Sequence, residues 1–379
     1  MAIRRLFPVG KQQTYTASGP ISIDLTTIPG TITELILKVQ TTQTTTASPG
    51  TYQDPDDRII SNIQVAAGTS TFATFTDMRS AQHFTRRQLR GAAPKRAGAE
   101  AASTTAGVRN FLYVFHWGTC PWKIDRASSR CYYDPYDLSA GIPPDLVKSL
   151  NLSGNYAANN TPGSGYTVVS ATVIPYAQVV IPEAGDQYAD YLPKGIPLWS
   201  MQNPAQSATS SALSQSIEVP GADFLYSAFL MATLGSTAPR SDSMLNSLGL
   251  QWNDGRQIET YNEADTASMV SQLGFDGWPP SADPNATDAI SPAVTQVVDP
   301  GLYELAAYKH ANGPGASSLF GAQLPPDTGA LLIPYGVASV SGGATLSALF
   351  QKYRPYSSPA AASTPLATPA GGQVRLLGQ

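Results

Sequence analysis

Hydrophobic and polar residues alternate along much of this chain, which is the pattern of half-buried β-strands. Leu35, Leu37 and Val39 would share one face of such a strand, whereas Glu34, Ile36 and Lys38 would share the other. The same alternation runs through residues 168–180, and clusters of turn-forming residues separate the segments at 48–50, 161–163 and 312–315. We therefore predict an all-β fold built from antiparallel sheets.

Two segments depart from this period and predict helices instead. Residues 76–90 place Met78, Ala81 and Leu89 at helical spacing. Residues 263–273 occupy the equivalent place in the second half of the chain. We therefore expect one helix to be inserted at the same point of each half.

The second half of the chain repeats the first at an offset of about 190 residues. The matched segments occur in the same order: 22–25 with 216–219, 32–39 with 224–234, 59–65 with 245–250, 112–113 with 302–303, and 169–171 with 346–348. Each copy also places a Pro-Gly turn after its first matched strand, at Pro29-Gly30 and at Pro220-Gly221. A repeat of this size predicts two tandem domains with the same fold.

Composition favours many short strands and a surface that is poor in charge. Of the 379 residues, 13% are charged and 42% are hydrophobic, and there are 32 Gly and 31 Pro. A net charge of −4 gives no electrostatic basis for wrapping nucleic acid. The N-terminus lacks the apolar core of a secretory signal, and no apolar run is long enough to span a bilayer. We expect a soluble chain that is not exported by the usual route.

Stretches rich in Pro, Gly, Ser and Ala set the expected domain boundaries. The stretch around residues 183–209 has no strand pattern and is predicted to be a linker. The predicted organisation is an N-terminal arm at 1–13, a first domain at 14–182, the linker at 183–209, a second domain at 210–356 and a Pro/Ala-rich C-terminal arm at 357–379.

The sequence contains no recognisable catalytic or metal-binding motif. It has no phosphate-binding loop, nucleophile elbow or paired Cys-x-x-Cys motif, and its histidines are His83, His116 and His310. We expect His116 to be a satisfied core or interface residue rather than a base. Together with Cys120 and Cys131 it could offer three metal ligands, but the spacing is not that of a zinc site. We predict that the protein is not an enzyme and needs no cofactor and no metal.

Charged clusters and the C-terminal arm supply the remaining candidate sites. The acidic loops at 54–57 and 283–288 could hold calcium, but we expect solvated turns because neither matches a defined calcium pattern. One basic cluster consists of Arg79, Arg86, Arg87, Arg90, Lys95 and Arg96, and Arg4 and Arg5 form a smaller one. Such clusters suit a solvated face, a subunit contact or the headgroups of a membrane. The apolar residues near the C-terminus would each contribute about 1.5–3 kcal/mol if they were buried in a slot. The candidate assembly or membrane-facing residues are Arg4, Arg5, Arg86, Arg87, Arg90, Val374, Leu376 and Leu377.

The repeated pattern resembles that of the double jelly-roll major capsid proteins of tailless icosahedral viruses, especially prokaryotic viruses with an internal membrane. Each half opens with a Ser-Ile-acid-aliphatic strand and a Pro-Gly turn, continues into a strand that is closed by Gly68 or Gly255, and inserts one helix. The resemblance covers residues 14–356. It implies two tandem eight-stranded antiparallel jelly rolls, each with an inserted helix.

The resemblance also implies a function and a set of partners. The chain would be the major capsid protein, a structural subunit of the virion shell that is made in the host cytoplasm. Its partners would be two further copies in a pseudo-hexameric homotrimer, neighbouring capsomers, minor capsid and vertex proteins, and the internal viral membrane where the virus has one. No specific nucleic-acid binding is expected.

Two other functions stay open on the sequence. Carbohydrate-binding and surface-adhesion proteins share the jelly-roll architecture. A sugar-binding cleft could be lined by the aromatic residues Trp117, Trp122, Tyr132, Tyr133 and Tyr136. Such proteins usually carry an export signal, which is missing. A cupin-type enzyme would need two or three ligating histidines on facing strands, and the histidines here are scattered over different segments. We favour the capsid protein, with the carbohydrate-binding protein as the alternative.

Overall fold

The structure is a computed structural model. It describes residues 2–45, 56–89, 97–98, 107–119, 122–125, 130–159, 166–183, 187, 190–206, 209–221, 223–233, 240–241, 243–264, 266–267, 301–307, 330–338 and 345–357. The strands of the first half are β1 Ile3–Pro8, β2 Gln13–Thr14, β3 Pro20–Asp24, β4 Thr31–Thr45, β5 Ile60–Ala67, β6 Ser70–Phe75, β7 Ala97–Gly98, β8 Gly107–His116, β9 Trp122–Asp125, β10 Arg130–Tyr133, β11 Leu150–Tyr156 and β12 Tyr166–Ile181. Those of the second half are β13 Gly195–Gln202, β14 Gln215–Glu218, β15 Phe224–Thr233, β16 Leu245–Trp252, β17 Gln257–Tyr261, β18 Leu302–Leu305, β19 Leu331–Val337 and β20 Thr345–Pro355. The helices are α1 Met78–Leu89, α2 Pro144–Val147 and a 3-10 turn at Asp56–Arg58. None of the helices within these ranges is long and apolar enough to cross a membrane.

The first half folds into two facing antiparallel sheets in jelly-roll order. In the sheet that we call the β4 sheet, the neighbours run β1-β12-β4-β8-β7, and β2 also pairs with β12. The facing strands run β6-β5-β11-β3. Leu35, Leu37 and Val39 point between the two layers and are fully buried, so the predicted inward face of β4 is confirmed.

The second half repeats this arrangement. Its first layer runs β18-β15-β20-β13 and its second layer, the β16 sheet, runs β14-β19-β16-β17. The strands correspond in order. The series β1, β12, β4 and β8 of the first half matches β13, β20, β15 and β18 of the second, and the series β3, β11, β5 and β6 matches β14, β19, β16 and β17. The predicted fold class, two tandem antiparallel jelly rolls, is therefore confirmed.

The repeat that the sequence showed corresponds to equivalent strands. The matched segments fall, in order, in β3 and β14, β4 and β15, β5 and β16, β8 and β18, and β12 and β20. The glycines of the Pro-Gly turns, Gly30 and Gly221, both have a positive φ, of 86° and 75°. Gly68 and Gly255 close equivalent hairpins with φ of 56° and 86°. Glycine adopts this backbone conformation at little steric cost, which explains why both copies place it there.

An inserted helix follows the equivalent hairpin in each half. The first predicted helix is confirmed as α1, which follows β6. In the second half residues 264, 266 and 267 are helical directly after β17, and the rest of the predicted helix at 263–273 lies outside the described residues.

Two strands lie in segments that the sequence analysis assigned to an arm and to a linker. Residues 3–8, expected in the N-terminal arm, form β1 and pair with β12 from Ile3 opposite Ile181 to Pro8 opposite Tyr176. Residues 195–202, expected in the linker, form β13, the first strand of the second jelly roll. Pro197 obscured its pattern, because proline donates no backbone hydrogen bond and usually marks a loop. Each segment is held in place by its antiparallel partner strand.

The two jelly rolls share one continuous sheet, and we call it the shared sheet. Its eight strands run β18-β15-β20-β13-β6-β5-β11-β3, so β13 of the second half meets β6 of the first. This contact is parallel, with Trp199 opposite Ala73. The core of the first jelly roll therefore includes Phe229 and Leu349 from the second. Because β15 and β20 are buried on both faces, their sequences are apolar on both faces as well.

Candidate assembly site

The contact between the two jelly rolls is built around Trp199 of β13. Its ring centroid lies 5.9 Å from that of Phe75 in β6, 5.5 Å from that of Phe84 in α1 and 5.3 Å from that of Trp117, all in edge-on geometry. Such pairs add to the stabilisation that comes from burial alone. Phe229 of β15 packs on Phe84 at 5.5 Å. Helix α1 and Trp117 thus cover one face of the second jelly roll's first layer.

Hydrogen bonds from tyrosine hydroxyls link the two jelly rolls. Tyr353 of β20 donates a hydrogen bond to the backbone oxygen of Trp117 at 2.9 Å, and Tyr226 of β15 donates to that of Thr119 at 2.5 Å. Burial raises the pKa of Tyr353, so its hydroxyl keeps the proton that it donates. The contact therefore combines an apolar centre with hydrogen bonds from tyrosine hydroxyls.

The described part of α1 is an interior helix. Residues 78–85 are buried, and Arg79, the first arginine of the basic stretch, is 7% exposed. Its guanidinium binds Asp77 through two nitrogens, at 3.2 and 2.9 Å. Arg86 and Arg87 belong to the last turns of α1, but their side chains lie outside the described residues, as do Arg90, Val374, Leu376 and Leu377.

Arg4 and Arg5 lie on β1, an edge strand of the β4 sheet, and both are exposed. Arg4 Nη1 lies 3.7 Å from Asp134 Oδ2, and the Arg4 side chain remains 54% exposed, so this ion pair contributes little stability. Ile3 and Leu6 beside them are 41% and 48% exposed. No described strand pairs with the other side of β1. The structure therefore leaves an unpaired edge with apolar and basic side chains, and an edge of this kind can pair with another chain.

The solvent side of the β4 sheet is a second open surface, and the sequence analysis missed it. We call it the outer face, and it consists of Ile36, Lys38, Gln40, Leu112, Ile174 and Tyr176, all exposed or half-buried. The strand register brings these residues together, because Tyr176 lies opposite Ile36, Ile174 opposite Lys38 and Lys38 opposite Leu112. Lys38 is the only charged member. The alternation of β4 places Ile36 and Lys38 on one face, but only the register shows which β8 and β12 residues share it.

The first acidic loop is not the solvated turn that we expected. Asp56 and Asp57 are 0% and 1% exposed, so the expectation is wrong for both. Asp56 Oδ2 lies 2.9 Å from Arg109 Nη2 of β8, and the backbone oxygen of Asp56 accepts a hydrogen bond from Tyr113. A buried carboxylate needs such a partner because desolvation is costly. Asp54 and the loop at 283–288 lie outside the described residues.

A buried polar cluster lies where the β9–β10 hairpin meets the β4 sheet. The Tyr133 hydroxyl donates to Glu34 Oε1 at 2.8 Å and lies 3.1 Å from His116 Nδ1. Glu34 is 3% exposed, and burial raises the pKa of its carboxyl to about 8, against a smaller lowering by the Tyr133 hydrogen bond. Burial also raises the pKa of Tyr133, with a further contribution from the charge of Glu34. Below about pH 8, the neutral form of Glu34 is therefore favoured.

The described residues lend little support to a metal site or a sugar-binding cleft. Among them, no three His, Cys, Asp or Glu side chains come together in a group that could hold a metal. Trp117 is fully buried in the contact between the jelly rolls, so it is not available to a sugar. Tyr133 is bound to Glu34. The side chains of Trp122 and Tyr132, and Cys120 and His310 as a whole, lie outside the described residues.

Comparison with known proteins identifies the fold. No family model matches the sequence, and no curated protein matches it. The crystal structure of the STIV MCP superimposes with a TM-score of 0.62 at 11% identity, covering 93% of this chain and 96% of that one. A chain from the atomic structure of Sulfolobus turreted icosahedral virus gives a TM-score of 0.61 at 11% identity, with 92% and 90% covered. A quasi-atomic model of the PBCV-1 virus capsid gives 0.53 at 11% identity, with 93% and 94% covered. The shared feature is the double jelly-roll fold.

Proposed function

We propose that this chain is the major capsid protein of an icosahedral virus and that three copies form a pseudo-hexagonal capsomer. The observation that carries the proposal is the joining of two equivalent jelly rolls through one continuous sheet. The likeness to the STIV MCP over nearly the whole length of both chains supports it.

The physical basis of the proposal is the number of equivalent domains. Three chains with two jelly rolls each present six similar domains around one axis. A trimer of this kind fits positions with six neighbours in a closed shell, and one gene product can supply all of them. A chain with a single jelly roll would need six copies for the same position.

The surface chemistry suits permanent contacts between copies. Only 13% of the residues are charged, so few charges lose water when surfaces meet. Obligate interfaces bury roughly 2,000 Å² or more, and a polar but weakly charged surface can supply this area. The proposed role is structural, without catalysis or a cofactor, and its place is the capsid of the virion.

Further partners follow from the same proposal. The trimers would contact neighbouring capsomers, and minor capsid and vertex proteins would complete the shell. The edge with Arg4 and Arg5 would face a subunit or an internal viral membrane. The arm that contains Val374, Leu376 and Leu377 would bind across the base of its own trimer or on an adjacent capsomer.

Sedimentation of the purified full-length chain tests the proposal. We expect a species of three times the 40.0 kDa chain at micromolar concentration, or a larger particle built from it. Truncation after Ser357 should leave this trimer intact and weaken larger particles, because β20 ends at Pro355. A stable monomer that binds glycans would instead support the carbohydrate-binding alternative.

A further inference from the structure

A short segment of the first jelly roll covers one end of the β4 sheet. We call it the cover segment, and it consists of residues 133–137, which follow from β10. The alternation of β4 places Glu34 on the same side as Ile36 and Lys38, which are half-buried, but Glu34 itself is only 3% exposed. Tyr133 of the cover segment holds the Glu34 carboxyl at 2.8 Å. The cover segment therefore separates this carboxyl from water.

The cover segment is attached to the β4 sheet by a few side-chain contacts. In the described residues, β9 and β10 pair only with each other, so the hairpin that leads into the cover segment adds no strand to the sheet. Besides the Tyr133 bond, the Thr33 hydroxyl donates to the Pro135 oxygen at 2.7 Å, and Arg4 lies 3.7 Å from Asp134. In contrast, β4 pairs along its length with both β12 and β8. Lifting the cover segment thus breaks far fewer bonds than displacing β4.

The groups around Glu34 provide no cation that would stabilise its ionised form. On β8 His116 lies opposite Glu34, and on β12 the opposite residue is the uncharged Gln178. Among the described residues, no lysine or arginine forms an ion pair with Glu34, and Arg4 is paired with Asp134 instead. The titratable and charged groups that face this site are Arg4, Lys38, His116, Tyr133, Asp134, Tyr136 and Asp137.

The cover segment also connects to the contact between the two jelly rolls. The Ser139 hydroxyl donates to Asp137, and the same hydroxyl accepts a hydrogen bond from the Thr119 backbone nitrogen at 2.7 Å. The Thr119 oxygen in turn accepts the hydrogen bond from Tyr226 of the second jelly roll. Burial raises the pKa of Tyr353, and the charge of Asp137 raises it further. A chain of polar contacts therefore runs from the cover segment to both tyrosines of the contact.

We propose that ionisation of Glu34 opens the cover segment and, through Asp137 and Thr119, loosens the contact between the two jelly rolls. A buried carboxylate without a cation is costly, whereas the neutral acid with one hydrogen bond is not. Lifting Tyr133 is the change that brings water to the carboxylate with the fewest broken bonds. The inference concerns a single chain and goes beyond the proposed function, because it gives the folded protein a local response to rising pH.

The direction of this response follows from the two protonation equilibria. With the cover segment open, Glu34 is solvated and its pKa is the ordinary 4.5, whereas burial under the closed segment raises it to about 8. Between these values the open form has lost a proton that the closed form keeps. The equilibrium constant for opening therefore rises about tenfold for each pH unit in this range. Above about pH 8 both forms are ionised and the rise ends.

Hydrogen exchange of the full-length protein tests the proposal, with exchange rates corrected for the intrinsic effect of pH. Between pH 5 and 8, protection of peptides that contain residues 133–137 or 117–119 should fall about tenfold per pH unit and then level off. At each pH it should also be at least tenfold below the protection of peptides from β15 and β20. Equal protection of all these peptides would overturn the proposal, because the cover segment would then open only when the whole chain unfolds. A response at 133–137 without one at 117–119 would overturn the link to the contact.

A pair of matched substitutions assigns the response to Glu34. Glu34→Gln keeps the shape of the side chain but cannot ionise, so the pH dependence at 133–137 and 117–119 should disappear. Glu218→Gln makes the same change at an exposed position of β14 and should keep the wild-type dependence. Circular dichroism verifies that both variants are folded, and the comparison of peptides within the wild type does not depend on either variant. A pH dependence that persists in Glu34→Gln would belong to another group, such as His116, and would overturn the proposal.

Discussion

At the scale of single residues, the Glu34 cluster links the stability of the protein to pH. The pKa of Glu34 is about 8 in the folded chain, above the ordinary 4.5 of the unfolded chain. As the pH rises between these values, the unfolded chain loses the proton first and the folded chain keeps it. The stabilisation is therefore complete below about pH 4.5 and is lost as the pH rises towards 8.

This linkage gives a test with an isosteric variant. The free energy of unfolding of the wild type should fall by up to about 1.4 kcal/mol for each pH unit between pH 5 and 8 through this group. Glu34→Gln should remove that slope, because an amide fills the same space without titrating. Glu218→Gln at an exposed position of β14 is the control and should keep it. Identical slopes for wild type and Glu34→Gln in denaturant titrations would contradict the assignment.

At the scale of elements, the turn between β3 and β4 requires glycine at position 30 for two reasons. One is its positive φ, and the other is the close approach of a neighbouring backbone segment. Gly30 and Gly255 both have a φ of 86°, but a Cβ on Gly30 would lie 2.2 Å from the Val180 oxygen, whereas a Cβ on Gly255 would meet nothing within 4 Å. Gly255→Ala should lower the free energy of unfolding by about 1–2 kcal/mol, because alanine is strained in the left-handed backbone conformation. Gly30→Ala should cost roughly 2 kcal/mol more, since backbone atoms must move. The melting temperatures of the two variants measure this difference, and equal losses of stability would contradict this account.

The sequence predicted elements well where local pattern decides their form. The alternation in β4, the spacing in α1 and the paired turn glycines all follow from periods that a strand, a helix or a tight turn imposes on its own residues. The repeat supplied the two-domain architecture. In contrast, β13 was missed because Pro197 suits a loop as well as an edge strand, and only its pairing with β20 distinguishes the two.

The candidate sites were less predictable because they depend on contacts between distant segments. Arg79 looked like part of an exposed basic cluster, but it is bound to Asp77 on the buried part of α1. Asp56 looked like a solvated turn residue, but Arg109 from β8 accompanies it into the interior. Arg109 is not visible as the partner of Asp56 without the register that brings β8 beside β4.

At the scale of the whole molecule, duplication explains both the shape of the chain and its proposed role. One jelly roll supplies the edge β6 and the helix α1, and the other supplies the edge β13 and a sheet face for them to cover. Each chain therefore contains one complete junction and leaves β1 and β17 as edge strands among the described residues. This arrangement supports the proposal that the chain assembles with further copies of itself.

A cryo-EM reconstruction of the assembled full-length protein tests this central claim most directly. The account predicts a three-fold particle in which six jelly rolls surround the axis. A monomer at all concentrations, or a two-fold dimer, would contradict it.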